Sequence, residues 1–318
     1  MSVWDRLAVF FLAGGLLAAV SLAIMWAGGL GRNGDSGDIA GEGAATPAAL
    51  QASSPGAGVT ATPTPAPTPL PGTPLTGPFE LPILMYHHVA PALPADEFQA
   101  RLTVTEDAFE RELTYLKCAG YHGITMAQMF AAMNGAGPLP PRPIILTFDD
   151  GYDDAYTSAF PLLRQYGFPG SFAIVTGFIE AGGPFLTWAQ IREMADAGEE
   201  MMSHTATHID LGASDDATVQ DQLASSRDTL QTRTGQPVDF FVYPSGEPFR
   251  SGSAEREQQV VAMLGQAGYR GALLAGPNSL TQDPAAPFAL NRVRVSGGED
   301  IYTFAGSIGG PDPDIAGC

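Results

Sequence analysis

Basic residues are scarce in this sequence. Its 318 residues include 15 lysines and arginines against 34 aspartates and glutamates, a formal net charge of −19 at pH 7. Proteins that bind nucleic acid present a basic face to the phosphate backbone, so we expect no nucleic-acid partner. An acidic surface suits a neutral or cationic ligand, although the same charge can serve solubility alone.

Cysteine and histidine are also rare, with 2 and 5 residues respectively. Cys118 and Cys318 stand far apart in the chain and match no metal-binding spacing. A disulfide between them would require an oxidising compartment, and the sequence leaves their pairing open. The apolar fraction of 45% is ordinary for a globular protein, so we expect a packed domain of usual composition.

Charged residues are absent between Leu7 and Leu30. A helix of that length, rising about 1.5 Å per residue, measures roughly 36 Å and can cross a bilayer. Trp4 and Trp26 lie near its two ends, as interfacial aromatic residues do. We therefore predict that residues 1–30 form a transmembrane signal anchor, with a cleaved signal peptide as the alternative.

Glycine, alanine, serine, threonine and proline make up almost all of residues 31–78. Such a composition cannot bury a core, and its prolines favour the extended polyproline II conformation. We predict a disordered, semi-rigid linker here, followed by a folded domain at residues 79–318.

Seven short apolar runs in the folded region alternate with helical patterns. The predicted strands are Leu81–Tyr86, Pro143–Phe148, Ser171–Val175, Glu199–Ser203, Phe240–Tyr243, Gly271–Leu274 and Leu290–Val295. The predicted helices are Glu106–Cys118, Met126–Met133, Ala155–Tyr166, Trp188–Ala197, Asp216–Arg233 and Ala254–Gln266. This alternation predicts an α/β fold with a parallel sheet, organised as a seven-stranded β/α barrel that is complete or incomplete. Such barrels place their chemistry at the carboxyl ends of the strands.

Two adjacent carboxylates, Asp149 and Asp150, follow one predicted strand and precede Gly151. Neighbouring strand residues point to opposite faces, so both carboxylates can serve one site only if the chain leaves strand geometry there. Gly151 permits that change of direction. An acidic turn that caps the following helix is the alternative interpretation.

His204 and His208 follow the predicted strand at Glu199–Ser203. On one helical turn, side chains four residues apart lie on the same face, about 5–6 Å apart at Cβ, which suits two imidazoles on one metal ion. Two imidazoles and one carboxylate are the protein ligands of a catalytic zinc site that leaves one position for water. The second aspartate is then free to act as a base. A chance spacing of two surface histidines is the alternative.

The order T-F-D-D-G-Y and then S-H-T-x-x-H resembles the polysaccharide deacetylases of carbohydrate esterase family four, over roughly Leu81 to Ser296. The segments Ile83–Val89 and Phe241–Gly246 are most similar to the branch that acts on poly-N-acetylglucosamine. The resemblance implies a distorted β/α barrel, the NodB-homology domain. It also implies a hydrolase that removes N- or O-acetyl groups from a carbohydrate with a divalent metal, usually zinc, with cobalt and nickel as alternatives.

The resemblance also assigns roles to residues at matching positions. It implies Asp150, His204 and His208 as the metal ligands and Asp149 as the general base. The backbone N–H of Ser245, in the turn after a predicted strand, is the predicted donor to the oxyanion of the tetrahedral intermediate.

Three positions depart from the family pattern. Val242 stands where many relatives carry an arginine that orients the base, and Ser245 stands where many carry a tyrosine. No histidine follows His208, so the late Leu-x-His motif that supplies the acid in many relatives is absent. The base and the acid therefore need other partners in this chain.

We predict that Arg292 replaces the missing partner of the base and that His87 replaces the missing acid. We predict that Arg292 contacts Asp149, with an exposed strand arginine as the alternative. His87 and His88 end the first predicted strand, where alternation turns only one of them inward. We predict His87 as the general acid, since histidine titrates near neutral pH, with an ordinary polar role for both as the alternative.

We therefore expect a hydrolase with an N-acetylglucosamine-containing polysaccharide as substrate. Its catalytic domain would be extracytoplasmic and held at the membrane by residues 1–30, or secreted if that segment is cleaved. Two other functions stay open: a deacylase of a small N-acyl sugar or other amide, and a carbohydrate-binding module without catalysis. Val242 and the absent late histidine favour the binding module, whereas the intact aspartates and histidines argue against it.

Overall fold

The central sheet is parallel and is built from the seven predicted apolar runs. The computed structural model describes residues 74–316. The central strands are β2 (Ile83–Tyr86), β6 (Pro143–Phe148), β7 (Gly170–Ile174), β8 (Glu200–Ser203), β9 (Phe240–Val242), β10 (Gly271–Leu273) and β12 (Val293–Arg294). Their spatial order is β10-β9-β8-β7-β6-β2-β12, and each neighbouring pair is parallel. The predicted α/β fold is confirmed as a curled, seven-stranded parallel half-barrel.

Short strands that the apolar runs did not predict lie around this sheet. They are β1 (Phe79–Glu80), β3 (His88–Ala90), β4 (Thr103–Thr105), β5 (His122–Gly123) and β11 (Thr281–Gln282). β5 pairs with the start of β6, while β1 with β11 and β3 with β4 form separate two-stranded ribbons. At the far edge, an isolated parallel bridge joins Leu273 to Leu290, just before β12.

The helices lie where the sequence predicted them, apart from three short ones that it did not predict. The helices are α1 (Glu97–Leu102), α2 (Glu106–Cys118), α3 (Met126–Met133), α4 (Phe160–Tyr166), α5 (Trp188–Asp196), α6 (Asp216–Thr234), α7 (Ala254–Gln266), α8 (Ile301–Ser307) and α9 (Pro313–Ala316). The predicted helix at Ala155–Tyr166 begins as a π-helical turn, Ala155–Ala159, that runs into α4. Thr187 and Gln190 form the predicted capping box at the start of α5.

Two apolar layers lie on opposite faces of the sheet. Strand alternation sends one set of side chains outward, under the helices, and the other set inward. The inward layer, inside the curl of the sheet, includes Ile83, Ile145, Met202, Phe240, Val242 and Leu273. Helix α3 packs into the same layer with its methionines and Phe130, whose ring lies 4.7 Å from that of Phe240. The curl is therefore filled by side chains, as in a packed barrel core.

Several predictions concern residues outside the described part of the chain. The signal anchor at residues 1–30 and most of the linker at 31–78 lie there, as does Cys318, whose pairing with Cys118 the sequence leaves open. Among the residues that the structure does describe, no helix has the length and apolar character to span a bilayer.

Glu112 is a buried acid on helix α2. Its Oε2 accepts a hydrogen bond of 2.8 Å from the hydroxyl of Tyr86, a residue of β2. Burial raises the pKa of Glu112 from its ordinary value of 4.5 to about 8, against a smaller opposing effect of the Tyr86 hydrogen bond. The carboxyl is therefore protonated in the folded protein at neutral pH.

Replacing Glu112 with glutamine should reduce the dependence of stability on pH. The folded-state pKa of Glu112 exceeds its unfolded value, so its contribution is complete below pH 4.5 and is lost as pH rises towards about 8. Urea unfolding measures the loss of unfolding free energy between pH 5 and pH 8. We expect this loss to be smaller in E112Q than in the wild type by roughly 1–4 kcal/mol. The exposed-site variant Glu97→Gln should keep the wild-type fall, and an unchanged fall in E112Q would contradict the prediction.

Candidate active site

Strand alternation carries polar side chains to the carboxyl end of the inward layer. On β6 the inward residues Ile145, Thr147 and Asp149 lead from the apolar core to a buried carboxylate. On β2 and β8 the same alternation turns His87 and His204 towards the same end. The site thus lies where a parallel β/α sheet places its chemistry.

Asp150 joins this site because the backbone turns left-handed directly after β6. The φ angles are 73° at Asp150 and 81° at Gly151. A left-handed conformation at a residue other than glycine costs about 1–3 kcal/mol and is retained where the surroundings require it. The turn brings Oδ1 of Asp150 to 3.4 Å from Nε2 of both His204 and His208. The change of direction expected at Gly151 therefore begins one residue earlier.

His204 and His208 approach each other through a tight turn, so the predicted helical turn was wrong. The φ angles of Thr205 and His208 are 68° and 57°, both left-handed. The Oγ1 atom of Thr205 closes the turn by accepting a 2.9 Å hydrogen bond from the N–H of His208. The two imidazole centroids lie 4.9 Å apart. The spacing predicted the proximity correctly, but a threonine side chain supplies it where helical hydrogen bonds were expected.

The three side chains fit a divalent metal ion. Their ligand atoms all lie within 4.8 Å of one another. Two ligands about 2.1 Å from a tetrahedral ion are about 3.4 Å apart, and this is the distance from Asp150 Oδ1 to each imidazole. Nδ1 of His204 lies 2.7 Å from the carbonyl oxygen of Val242, which holds a proton on Nδ1 and makes Nε2, the nitrogen that faces Asp150, the one that would bind a metal.

The charge state of Asp150 also suits metal binding. Burial acts to raise its pKa, but the hydrogen bond and charge of His204, with the charges of His87 and His208, hold the pKa of Asp150 below its ordinary value. Burial and the neighbouring His204 lower the pKa of His208, so its ring stays neutral. Burial acts to lower the pKa of His204, but the hydrogen bond to Asp150 raises it. A metal ion that binds an ionised carboxylate and neutral imidazoles would therefore displace a proton from His204.

Asp149 is held by a buried arginine. Nη1 and Nη2 of Arg292 donate to its two carboxylate oxygens at 2.8 and 2.9 Å, and Nη1 also donates to Thr147 at 3.1 Å. The Arg292 side chain is 0% exposed, so it is not the exposed strand arginine of the alternative interpretation. Burial acts to raise the pKa of Asp149, but the charge and hydrogen bonds of Arg292 lower it. The carboxylate is therefore ionised and fixed in orientation.

The neighbouring histidines His87 and His88 have different surroundings. Burial lowers the pKa of His87 to about 4, with Arg294 and Arg292 acting in the same direction and Asp149 and Asp150 opposing. The ring is therefore neutral at pH 7. The pairing of Tyr86 with Phe148 places the next residue, His87, beside Asp149. His88 lies outside this group: its Nδ1 is 2.6 Å from Asp154 and its ring stacks on Tyr152 at 3.7 Å.

Ser245 is the exposed residue of a turn after β9 whose other two residues, Pro244 and Gly246, are buried. Its φ is 54°, left-handed, and it follows Pro244. The same stretch supplies the Val242 carbonyl that fixes the tautomer of His204. The turn therefore lies next to the cluster of Asp150, His204 and His208.

Some functional contacts had no clear sequence signal. The carbonyl of Val242 is a backbone group, and no side-chain pattern predicts its role. The hydrogen bond from Arg292 to Thr147 joins residues 145 positions apart. Tyr152 stands inside the T-F-D-D-G-Y motif, so its stacking with His88 could have been suspected from the sequence.

Comparison with known proteins gives a family match. A sequence model of the family described as polysaccharide deacetylase matches residues 136–272, which include both motifs. YxkH of Bacillus subtilis strain 168, provisionally named a polysaccharide deacetylase, is 28% identical over 231 residues, covering 73% of this chain and 77% of that protein. The poly-beta-1,6-N-acetyl-D-glucosamine N-deacetylase of Escherichia coli K12 is 32% identical over 122 residues, which are 34% of this chain but only 18% of that protein.

A solved structure shares the fold. The Streptococcus pyogenes deacetylase PplD, solved in complex with acetate, aligns with a TM-score of 0.65 at 24% identity. The alignment covers 73% of this chain and 99% of that one. At this identity the likeness concerns the arrangement of helices and strands.

His208→Ala should weaken metal binding without unfolding the domain. The variant removes one of three ligands at a side chain that is 30% exposed, so we expect the affinity for zinc to fall at least about tenfold, as ligand-shell changes do. Calorimetric titration with zinc measures the affinity, and circular dichroism checks the fold. His122→Ala, at an exposed histidine outside the site, is the matched control, and equal affinities in all three proteins would contradict the assignment.

Arg292→Met should destabilise the protein strongly. It leaves the carboxylate of Asp149 buried and unpaired, which costs about 3–5 kcal/mol when one partner of a buried pair is removed. Urea unfolding at pH 7 measures this change. Arg270→Met breaks the partly exposed pair with Asp239 and should cost less than about 1 kcal/mol. Similar decreases in unfolding free energy in the two variants would contradict the role of Arg292 as the charge partner of Asp149.

Proposed function

We propose that this chain, which belongs to the polysaccharide deacetylase family, hydrolyses the acetamide groups of an N-acetylated polysaccharide with the help of a divalent metal ion. The observation that carries the proposal is the approach of Asp150, His204 and His208 to one another beside the separate, ionised carboxylate of Asp149. This is the division between ligands and base that hydrolysis requires. The E. coli relative's name supports a polymer of N-acetylglucosamine as the substrate class.

Asp150, His204 and His208 would hold the ion, and zinc is the metal we propose because two imidazoles and a carboxylate are a common zinc ligand set. When bound, such an ion activates water and polarises the acetyl carbonyl. Cobalt and nickel accept the same ligands and are the alternatives.

Asp149 acts as the general base in this proposal. It accepts a proton from the water that attacks the acetyl carbonyl carbon. Arg292 positions it, since both carboxylate oxygens are held by the guanidinium and cannot rotate away. The backbone N–H of Ser245 donates to the oxygen that becomes negative in the tetrahedral intermediate. The C–N bond then breaks, which releases acetate and a free amine.

His87 is the proposed proton donor to the leaving amine. Its ring is neutral at pH 7 because burial lowers its pKa to about 4. It must therefore receive a proton during turnover. In this proposal Asp149 passes on the proton that it took from the attacking water, and His87 delivers it to the leaving nitrogen. A water molecule in the same position is the alternative donor.

We also propose an extracytoplasmic location. The uncharged run from Leu7 to Leu30 and the proline-rich stretch after it suit a domain that is held near the outer face of a membrane. A polymer substrate outside the cell is consistent with this placement.

Asp149→Asn should lower the rate of deacetylation by about 10²–10⁴, since asparagine cannot accept the proton. The test uses the full chain loaded with zinc, cobalt or nickel and measures acetate released from oligomers of N-acetylglucosamine. Asp153→Asn, at an exposed carboxylate of the same segment, should keep the wild-type rate. Absence of acetate release by the metal-loaded wild type from chitin oligomers, poly-N-acetylglucosamine and peptidoglycan would contradict the proposed function.

A further inference from the structure

Arginine is concentrated around the site of a strongly acidic protein. The chain carries only 15 lysines and arginines against 34 acidic residues. Arg292 is in the site. Arg292, Arg101 and Arg250 each lie near enough to Arg294 to lower its pKa. Arg292 is accounted for by its bidentate pair with Asp149. Arg294 has no such explanation.

The register of the last strand points Arg294 into the site. Val293 and Val295 pack in the outer layer beneath the helices, so Arg292 and Arg294 face inward on β12. Because β12 runs parallel to β2, Arg294 lies one inward position closer to the carboxyl end than Arg292. Its Cα pairs with Met85, which in turn pairs with Thr147, so Arg294 lies one inward position below His87 and Asp149. Arg292 lies one inward position deeper still and its guanidinium reaches Asp149, so a side chain of the same length at position 294 can reach the open end of the curl.

Electrostatic coupling agrees with this placement. Arg294 acts on the pKa of His87, and Asp149 acts on the pKa of Arg294. Burial is the main cause that lowers the pKa of Arg294. The charge of Asp149 opposes this shift, and the charges of Arg292, Arg101 and Arg250 add to it. Arginine nonetheless stays protonated in proteins, so a positive charge stands beside the reacting group.

Among the described residues, no acidic side chain forms an ion pair with Arg294. No carboxylate oxygen in residues 74–316 lies within 4.0 Å of a side-chain nitrogen of Arg294, whereas Arg292 has such a partner in Asp149. Asp149 is the acid that acts on the pKa of Arg294, but both of its carboxylate oxygens already accept hydrogen bonds from Arg292. A half-buried guanidinium that lacks a carboxylate partner is suited to bind one from a ligand.

We propose that Arg294 forms an anionic subsite that binds a carboxylate carried by the glycan substrate, next to the acetamide that is hydrolysed. This inference rests on the proposed function for the class of ligand, a glycan. A single negative charge fits better than a phosphate monoester, whose charge of about −1.5 to −2 would be repelled more strongly by Asp149 and Asp150. Arg101 adds positive potential near Arg294, which favours the approach of acidic glycans.

Two kinds of sugar carry such a carboxylate. One is a 3-O-lactyl ether on the acetylated sugar itself, and the other is a uronic acid on the neighbouring sugar. Both present a planar carboxylate to a planar guanidinium, which favours paired hydrogen bonds. The test must therefore include both.

Calorimetric titration of the zinc-loaded full chain with deacetylated disaccharides tests the subsite without turnover. The three ligands are a glucosamine disaccharide, the same disaccharide with a 3-O-lactyl carboxylate, and a glucosamine–glucuronic acid disaccharide. We expect at least one acidic ligand to bind about tenfold more tightly than the neutral one, as a charge-assisted pair allows. The preference should shrink when salt is raised from 50 to 500 mM.

Arg294→Gln should remove the preference for the acidic ligand, and Arg192→Gln, at an exposed arginine paired with Asp196, should keep it. Whichever acidic ligand shows the preference identifies the source of the carboxylate. Equal binding of acidic and neutral ligands by the wild type, a preference that survives in R294Q, or no binding of any of the three would overturn the proposal. Acetate release from neutral oligomers is measured separately, so failure of the subsite and failure of the deacetylase function give different results.

Discussion

The site depends on where the backbone leaves strand β6. Asp149 still obeys strand alternation and faces the inward layer, whereas Asp150 would face the helices if the strand continued. The left-handed conformation at Asp150 turns its carboxylate back, so two adjacent residues serve one site in two roles. Thr205, His208 and Ser245 are also left-handed. Backbone conformations that each cost about 1–3 kcal/mol thus occur repeatedly around one centre, which the packed sheet beneath them must support.

Charge balance is the second constraint. Two adjacent aspartates, Asp149 buried and Asp150 partly buried, serve the same site, and each is kept ionised by a different partner. Arg292 compensates Asp149, and the imidazoles compensate Asp150. Asp149 therefore lies outside the group of candidate metal ligands, whereas Asp150 is one of them. The carbonyl of Val242 orients His204, and the positive charge beside Asp149 comes from Arg292, the residue directly before β12.

Much of the fold could be predicted because its strands are apolar on both faces and its helices carry strong caps. All seven central strands and six helices followed from apolar runs, threonine N-caps and glycines at helix ends. The short ribbons were missed, since strands such as His88–Ala90 and Thr281–Gln282 are too short to show a period. The proximity of His204 and His208 was predictable from their spacing, but the turn that joins them was not, because a single Thr205 hydroxyl decides it. The burial of Arg292 was equally hidden, since a two-residue strand gives no sign of which face it buries.

The pairing of β12 with β2 sets the order in which this protein can mature. Asp149 is synthesised early in the domain, while its guanidinium partner comes from the last central strand, which docks beside the first. Until that strand emerges and docks, the aspartate has no counter-charge and favours water over the core. A nascent chain therefore lacks the electrostatic centre altogether, and the domain acquires it in a late step, when its first and last central strands meet.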